Sequence, residues 1–283
     1  MKTCICLITK DSQDIIEEFI EWHHNHVGIQ DIILIEDYNS FPLKDIVSKY
    51  DYVKYYHLSE LIDEDVIKFI NTFQYKDKVH IIYYIFHKRF RKDYDWLAFI
   101  DDDEFIDIDK DTLYKILERN QNQVCITMPW LNMKCDGHIY HPNHGKKYSL
   151  LNTYKNYVDH SILRNYVCQK LIINCNPRFD NITRVFDFDH IPHCLKPIYN
   201  NYDGNIKLKH FKYKSFEEYY NLLKNRGECS IENTWYHRKY LDWFKVNEEY
   251  KDQMEKLYKE FNIQSENDIK FSNFDFLNKT RPL

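Results

Sequence analysis

Four acidic side chains in a row, Asp101-Asp102-Asp103-Glu104, follow directly on the apolar run Trp96-Leu97-Ala98-Phe99-Ile100 and lead into Phe105-Ile106. Ionised carboxylates at this spacing repel one another, and a metal ion or another cationic group has to offset the repulsion. An unbroken apolar run of this length fits a central parallel strand covered on both faces. The acids then fall at its carboxyl end, the edge of an open α/β sheet at which ligands bind. Asp101, Asp102 and Asp103 are therefore read as a divalent-metal and phosphate site. The plainer alternative is an acidic turn that caps the next helix.

The elements that must position these acids can be read along the chain. Residues 2 to 9 form a first strand, after which Asp11 or Ser12 caps a helix with apolar positions Ile15, Phe19 and Trp22, stopped at Gly28. Asp31 to Glu36 is a second strand, Pro42 opens a short helix, and Tyr52 to His57 is a third strand. A helical stretch over about 66 to 92 precedes the Trp96 to Ile100 strand. Asp109 or Asp111 caps a helix to about Arg119, and Val124 to Met128 returns as a strand. Strands alternating with helices predict a parallel sheet built from right-handed crossovers. Further strands are expected near 170 to 174, 183 to 188 and 206 to 211. Ser215-Phe-Glu-Glu218 is a capping box opening a helix to Arg226, with Gly227 at its end.

The chain's 283 residues, 43% hydrophobic and 17% aromatic, are ample for a packed core. With only 5 Gly and 7 Pro and no low-complexity linker, the sequence shows no sharp internal boundary. A net charge of −5 gives no basic footprint for duplex nucleic acid. The apolar N-terminal run is too short for a signal peptide and no stretch approaches a membrane span, so a soluble, cytoplasmic protein is expected. Eight cysteines, at 4, 6, 125, 135, 168, 175, 194 and 229, form no CxxC pair and read as buried free thiols.

Several ordered segments carry a resemblance. Thr9-Lys10-Asp11 follows the first strand, Glu36-Asp37-Tyr38-Asn39-Ser40 the second, and Phe99-Ile100-Asp101-Asp102-Asp103-Glu104-Phe105 the fourth. This order resembles the nucleotide-sugar half of a GT-A glycosyltransferase, and more narrowly the family 2-like and family 92 groups. Trp130 to His138, Lys170 to Pro177, and Lys209-His210-Phe211-x-x-Lys214-Ser215 running into Lys224-x-Arg226-Gly227 fit the narrower pattern, which covers residues 3 to 230. The resemblance implies a three-layer α/β/α domain with a mostly parallel sheet over 1–230, and 231–283 as a helical extension packed on it.

It also implies roles. A nucleotide-diphosphate sugar brings two phosphate charges to a carboxylate-rich site, which requires Mn²⁺ or Mg²⁺ between them. Asp103 matches the second acid of the family's Asp-x-Asp and is the first choice of ligand. Asp101 matches the first, on the metal or the ribose, while Asp102 fills the variable position. His210 stands where the family places a distant His ligand, with His190 and His193 as competitors. Thr9, Asp11, Glu36 and Asp37 would meet base and ribose, and Lys10, Lys214 and Arg226 would offset the diphosphate. The base for inversion is open between Asp136, in a loop where the family commonly has Ser, and Asp189, with Asp187 and Glu228 behind them.

The expected activity is metal-dependent, inverting transfer of a sugar from a UDP-hexose or related donor to a hydroxyl of a glycan, protein or small molecule. The competing readings are an inactive nucleotide-sugar or glycan-binding module on the same fold, and a nucleotidyltransferase, against which the lack of a Gly-rich phosphate loop argues. Sugar, linkage, acceptor and oligomeric state are not encoded legibly.

Overall fold

The structure is a computed structural model that describes residues 1–10, 12–37, 42–70, 75–144, 146–158, 169–179, 205–225, 234–261 and 263. The chain divides into two compact units. The first comprises Met1–Met133 with Gly145–Lys212, the second Lys134–His144 with Tyr213–Leu283. The second unit thus begins before the expected boundary at 230 and takes in the loop after the sixth strand.

In the first unit the chain runs β1 (Thr3–Thr9), α1 (Ile16–Glu21), β2 (Asp31–Glu36), α2 (Lys44–Val47), β3 (Val53–His57), α3 (Leu58–Leu61), α4 (Glu64–Ile70), α5 (Tyr75–Phe90) and β4 (Trp96–Phe99). It continues through β5 (Glu104–Asp107), α6 (Lys110–Arg119), β6 (Cys125–Asn132), α7 (Leu150–Thr153), β7 (Gln169–Asn174) and β8 (Lys207–His210). The strands form one mixed sheet in the order β3-β2-β1-β4-β7-β6-β8-β5. β3, β2, β1 and β4 are mutually parallel, whereas β7 runs antiparallel to both β4 and β6, and β5 antiparallel to β8. The expected parallel half is present, and the reversal at β7 is a feature that hydrophobic pattern alone does not register.

Alternation along the strands splits the core into two layers. Ile5, Leu7, Ile32, Leu34 and Ala98 pack with Ile16, Phe19 and Ile20 of α1 and Leu113, Ile116 and Leu117 of α6. Cys4, Cys6, Ile33, Ile35, Leu97 and Phe99 pack on the other face with Ile67 of α4 and Ile82, Tyr83, Phe86 and Phe90 of α5. Both faces of the sheet are covered, which is why its central strands read as continuous apolar runs. The described cysteines Cys4, Cys6, Cys125, Cys135 and Cys175 are free and buried. Burial pushes the thiols of Cys4, Cys125, Cys135 and Cys175 up to about 12. No described helix is long and apolar enough to cross a membrane.

The anticipated strand 183–188 and the Arg226-Gly227 helix stop lie outside the described residues, and the helical stretch expected over 66–92 is present as α4 and α5 on either side of 71–74, which also lie outside them. Helix α1 starts at Ile16, and the Ser12 carbonyl accepts the Ile15 and Ile16 amides. The Ser12 hydroxyl, expected to cap the helix, turns instead to Asp102. α1 continues as a π-helical turn, Trp22–His26, a widening that accompanies functional sites in many proteins. Within it His23 is fully buried. The Ile106 amide donates to His23 Nε2 at 3.1 Å, which fixes the proton on Nδ1, and Nδ1 donates to the Phe19 carbonyl at 2.8 Å. His23 thereby ties α1 to β5, the strand that begins at Glu104.

The second unit contains α8 (Phe216–Asn225), α9 (Thr234–Val246) and α10 (Met254–Glu260). Ser215 forms the anticipated capping box: its hydroxyl accepts the Glu218 amide at 3.3 Å and Glu218 Oε2 accepts the Ser215 amide at 3.3 Å. Phe216, Tyr240, Trp243, Phe244 and Tyr258 form its aromatic core. The 134–144 loop is pinned to it where the Cys135 amide donates to Asn247 Oδ1 at 2.9 Å and the His141 amide to Glu217 Oε2 at 2.7 Å.

Burial pushes the His23 imidazole down to about 3, from an ordinary 6.5. Between those values the unfolded chain binds a proton that the folded chain refuses, so this contribution to stability is complete above pH 6.5 and drains as pH falls through the window. Urea unfolding of wild type and His23→Gln checks it. The stability gap between them is expected to be widest at pH 7 and to narrow toward pH 4, whereas a pH-independent gap contradicts the assignment.

Candidate active site at the carboxyl ends of β1 and β4

In the order β3-β2-β1-β4 the crossovers run outward from β1 to β3 and return on its other side to β4. The crevice between the carboxyl ends of β1 and β4 is therefore the topological switch point of the parallel half, the place where such sheets bind ligands. Cys6 pairs with Phe99. Three residues further along each strand stand Thr9 and Asp102, so the register itself brings the two sequence-predicted segments together.

The acid run is a turn between two strands. The Glu104 amide donates to the Asp101 carbonyl at 3.1 Å, and the chain reverses into β5. The four acids leave the turn in three directions. Asp102 points back toward β1, where its Oδ2 takes the hydroxyls of Thr9, at 2.6 Å, and Ser12. Burial, and after it the charge of Asp103, push the Asp102 carboxyl up while the two hydroxyls hold it down, and the balance leaves it at about 6. Asp101 and Glu104 meet Lys170, a side chain with no exposed surface. The ammonium lies 3.0 Å from Asp101 Oδ2 and 3.4 Å from Glu104 Oε2. Tyr83 of α5 reaches the other Asp101 oxygen, with its hydroxyl 3.2 Å from Oδ1. Glu104 Oε2 also accepts the Asp101 amide at 2.8 Å, closing the turn on itself.

Burial works against the charge on Lys170, but Asp101 and Glu104 together outweigh it and leave its pKa above the ordinary lysine value. Burial likewise pushes the Glu104 carboxyl well up, against the pull of Lys170. The cation that the acid run demands is thus in part the protein's own. Lys170 reaches it because antiparallel β7 sets Leu171 against Phe99 of β4, two residues before the first acid on one strand and one beyond Lys170 on the other.

Asp103 takes the remaining direction. β8 pairs with β5 so that His210 sits opposite Glu104, and the Phe211 amide donates to the Asp103 carbonyl at 2.9 Å. These backbone links bring His210 Nε2 to 3.7 Å from Asp103 Oδ1. His210 is buried beneath Trp130, ring centroids 4.1 Å apart. Its neighbour Lys209 turns the other way and pairs with Asp107 at 2.8 Å.

The other expected residues are placed as follows. The Asp37 amide donates to the Thr9 carbonyl at 3.0 Å, extending the β1–β2 pairing past the strand ends, and Lys10 is exposed beside it. Glu36 is buried, and its two oxygens accept the Leu43 amide, at 2.8 Å, and the Tyr55 hydroxyl. It holds the chain that follows β2 where the sequence suggested a nucleoside contact. Asp11, Asp189, Arg226 and the competing His190 and His193 lie outside the described residues. Asp136 and Lys214 belong to the second unit. There Asp136 is left-handed at φ 47°, next to Gly137 at φ 90°, and Lys214 Nζ is 3.9 Å from Glu218 Oε1.

Among the described residues no group of three or more His, Cys, Asp or Glu side chains is placed to hold a metal ion. One carboxylate and one imidazole, Asp103 and His210, do fit a hard divalent cation whose remaining positions are filled by phosphate oxygens and water. Asp101 does not join them as it stands, because Lys170 and Tyr83 engage both of its oxygens. Reading the residues one by one missed Lys170. The available signal was a lysine heading an apolar run, Lys170-Leu-Ile-Ile, that has to enter a sheet interior and so needs a carboxylate partner.

No protein-family model matches the chain, and no curated protein matches it. Solved structures similar to it include S. aureus TarS 1–349, at 14% identity and a TM-score of 0.36 over 96% of this chain and 77% of that one. The same fragment in complex with UDP gives 14% and 0.34 over the same shares. The mannosyltransferase Ktr4p of S. cerevisiae gives 13% and 0.27 over 47% of this chain and 40% of that one. Against a longer S. aureus TarS chain the match spans 64% of this chain and 30% of the other. Likenesses this distant establish neither a family nor an activity.

The raised Asp102 carboxyl has a stability consequence. Between its ordinary 3.8 and about 6 the folded chain binds the extra proton, so stability falls as pH rises through that window and the full penalty stands above pH 6. Asp102→Asn keeps an acceptor for Thr9 and Ser12 and removes the charge. It is expected to be more stable than wild type at pH 7.5, by roughly 2–3 kcal/mol at 1.36 kcal/mol per pKa unit, and equal to it near pH 4. Denaturant midpoints at the two pH values measure this, and a variant less stable at pH 7.5 contradicts it.

Proposed function

We propose that the chain is a metal-dependent, inverting glycosyltransferase of the GT-A kind. It would move a sugar from a nucleotide-diphosphate sugar, in the first instance a UDP-hexose, to a hydroxyl acceptor. The observation that carries the reading is the meeting of Asp103 and His210, 3.7 Å apart, beside the switch point at which Thr9 donates to Asp102. A buried imidazole and a carboxylate brought together by strands distant in sequence suit a shared ligand better than they suit helix capping.

Mn²⁺ or Mg²⁺ held by Asp103 and His210 would stabilise, as a Lewis acid, the charge developing on the departing nucleoside diphosphate. The chain's own groups do the rest. Lys170 sets one positive charge between Asp101 and Glu104, so a diphosphate meets less negative charge than the sequence implies. Thr9 and Ser12 draw the Asp102 carboxylate back against β1 and away from Asp103. Thr9 and Asp37, at and just beyond the ends of β1 and β2, would meet base and ribose, and exposed Lys10 would offset the diphosphate.

Asp136 is the candidate base that takes the acceptor's proton. A left-handed non-glycine residue is an uncommon and costly conformation, of the sort that recurs at functional sites. Asp189 remains the alternative from sequence.

Two measurements test the reading. Release of UDP from a panel of UDP-hexoses should require Mn²⁺ or Mg²⁺ and fall at least about 100-fold in Asp103→Ala and His210→Ala; undiminished turnover in both variants excludes the assignment. Asp136→Asn preserves the left-handed backbone, which Asn tolerates, and should lower kcat of sugar transfer by about 10²–10⁴-fold with UDP affinity unchanged. Full activity in that variant moves the base elsewhere.

A further inference from the structure

Lys170 is the one feature of the site that no expected role absorbs. A lysine with no exposed surface is a costly thing to bury, tolerated only when its charge is matched. Here the match is two carboxylates of the same four-residue turn, and the backbone amide of Asp101 joins through Glu104 Oε2. Glu104 is itself wholly buried, and no hydrogen bond reaches its Oε1 among the described residues. The tie is therefore asymmetric: Lys170 and the turn amide share one Glu104 oxygen, and Lys170 and Tyr83 divide the two oxygens of Asp101.

We infer that Lys170 is a positioning residue. Its ammonium is the permanent counter-charge of the acid turn, claims Asp101, and so confines a divalent cation to Asp103 and His210. The inference rests on the glycosyltransferase reading for the cation's purpose but not for its own geometry. Its chemical content is a division of labour. A buried fixed cation offsets two of the acids whether or not a nucleotide is present, and the exchangeable cation serves the diphosphate. Were Lys170 only a packing element, removing it would cost stability and leave metal affinity where it was.

The test is titration of the protein with Mn²⁺ alone, free Mn²⁺ being read by electron paramagnetic resonance. In Lys170→Met/Glu104→Gln, which removes the buried ammonium together with the buried carboxyl that faces it, Asp101 is released to join Asp103 and His210. Mn²⁺ is expected to bind at least tenfold more tightly than in wild type. Unchanged affinity in a folded double variant overturns the inference. A second readout needs no substitution: in the wild-type protein the ammonium of Lys170 should give a slowly exchanging ¹H–¹⁵N resonance that survives addition of Mg²⁺ and UDP. Absence of that resonance, or its loss when Mg²⁺ and UDP are added, overturns the inference equally. Failure of the glycosyltransferase reading has a different signature, an intact Mn²⁺ pattern with no turnover of any UDP-hexose.

Discussion

The site depends on one buried ion cluster. Carboxylates at consecutive positions cannot all stay ionised in a partly buried turn without a counter-charge, and Lys170, enclosed between Asp101 and Glu104, supplies it. Removing one partner of a buried pair typically costs about 3–5 kcal/mol because the other charge is left uncompensated. The turn between β4 and β5 and the placement of β7 beside β4 are therefore coupled: neither strand arrangement is comfortable without the other. With Asp101 and Glu104 tied to Lys170, the remaining acids point apart, Asp102 to Thr9 and Asp103 to His210.

This arrangement divides the carboxyl edge of the sheet between two functions. The parallel half, β3 to β4, forms the switch-point crevice, with Thr9 and Asp102 meeting across it. The β6–β8–β5 side contributes His210 through pairing to Glu104 and Asn132 and leaves it buried under Trp130. His23, holding β5 to α1 through the Ile106 amide, keeps the far end of the turn in place. The acids are rigid because every strand that borders them is pinned by backbone pairing or a buried hydrogen bond.

Much of this was legible in the sequence. The apolar runs of β1, β2 and β4, the Asp109 and Ser215 caps and the stop at Gly28 all lie where pattern and capping rules put them. Gly28 adopts φ 79°, as a helix stop requires. The nearness of Asp103 and His210 is suggested only by the resemblance, since no spacing rule links two residues so far apart in the chain. What was not legible shares one cause, namely pairing between strands distant in the chain. The antiparallel β7, the reversal into β5 and the Lys170 ion cluster are all non-local, and hydrophobic periodicity reports only local structure. Ser12 and Glu36 illustrate a second limit. Each polar side chain was assigned the local or functional partner nearest in sequence, whereas burial gave it a partner across the sheet.

In the proposed site Asp103 and His210 hold a divalent cation against a diphosphate while Lys170 keeps Asp101 for itself. A crystal structure of the protein soaked with UDP and Mn²⁺ tests it most directly. Anomalous density for Mn²⁺ touching Asp103, His210 and the diphosphate, with Lys170 still on Asp101, is the predicted result. Nucleotide bound with no metal beside Asp103, or Mn²⁺ on Asp101 with Lys170 displaced, would contradict it.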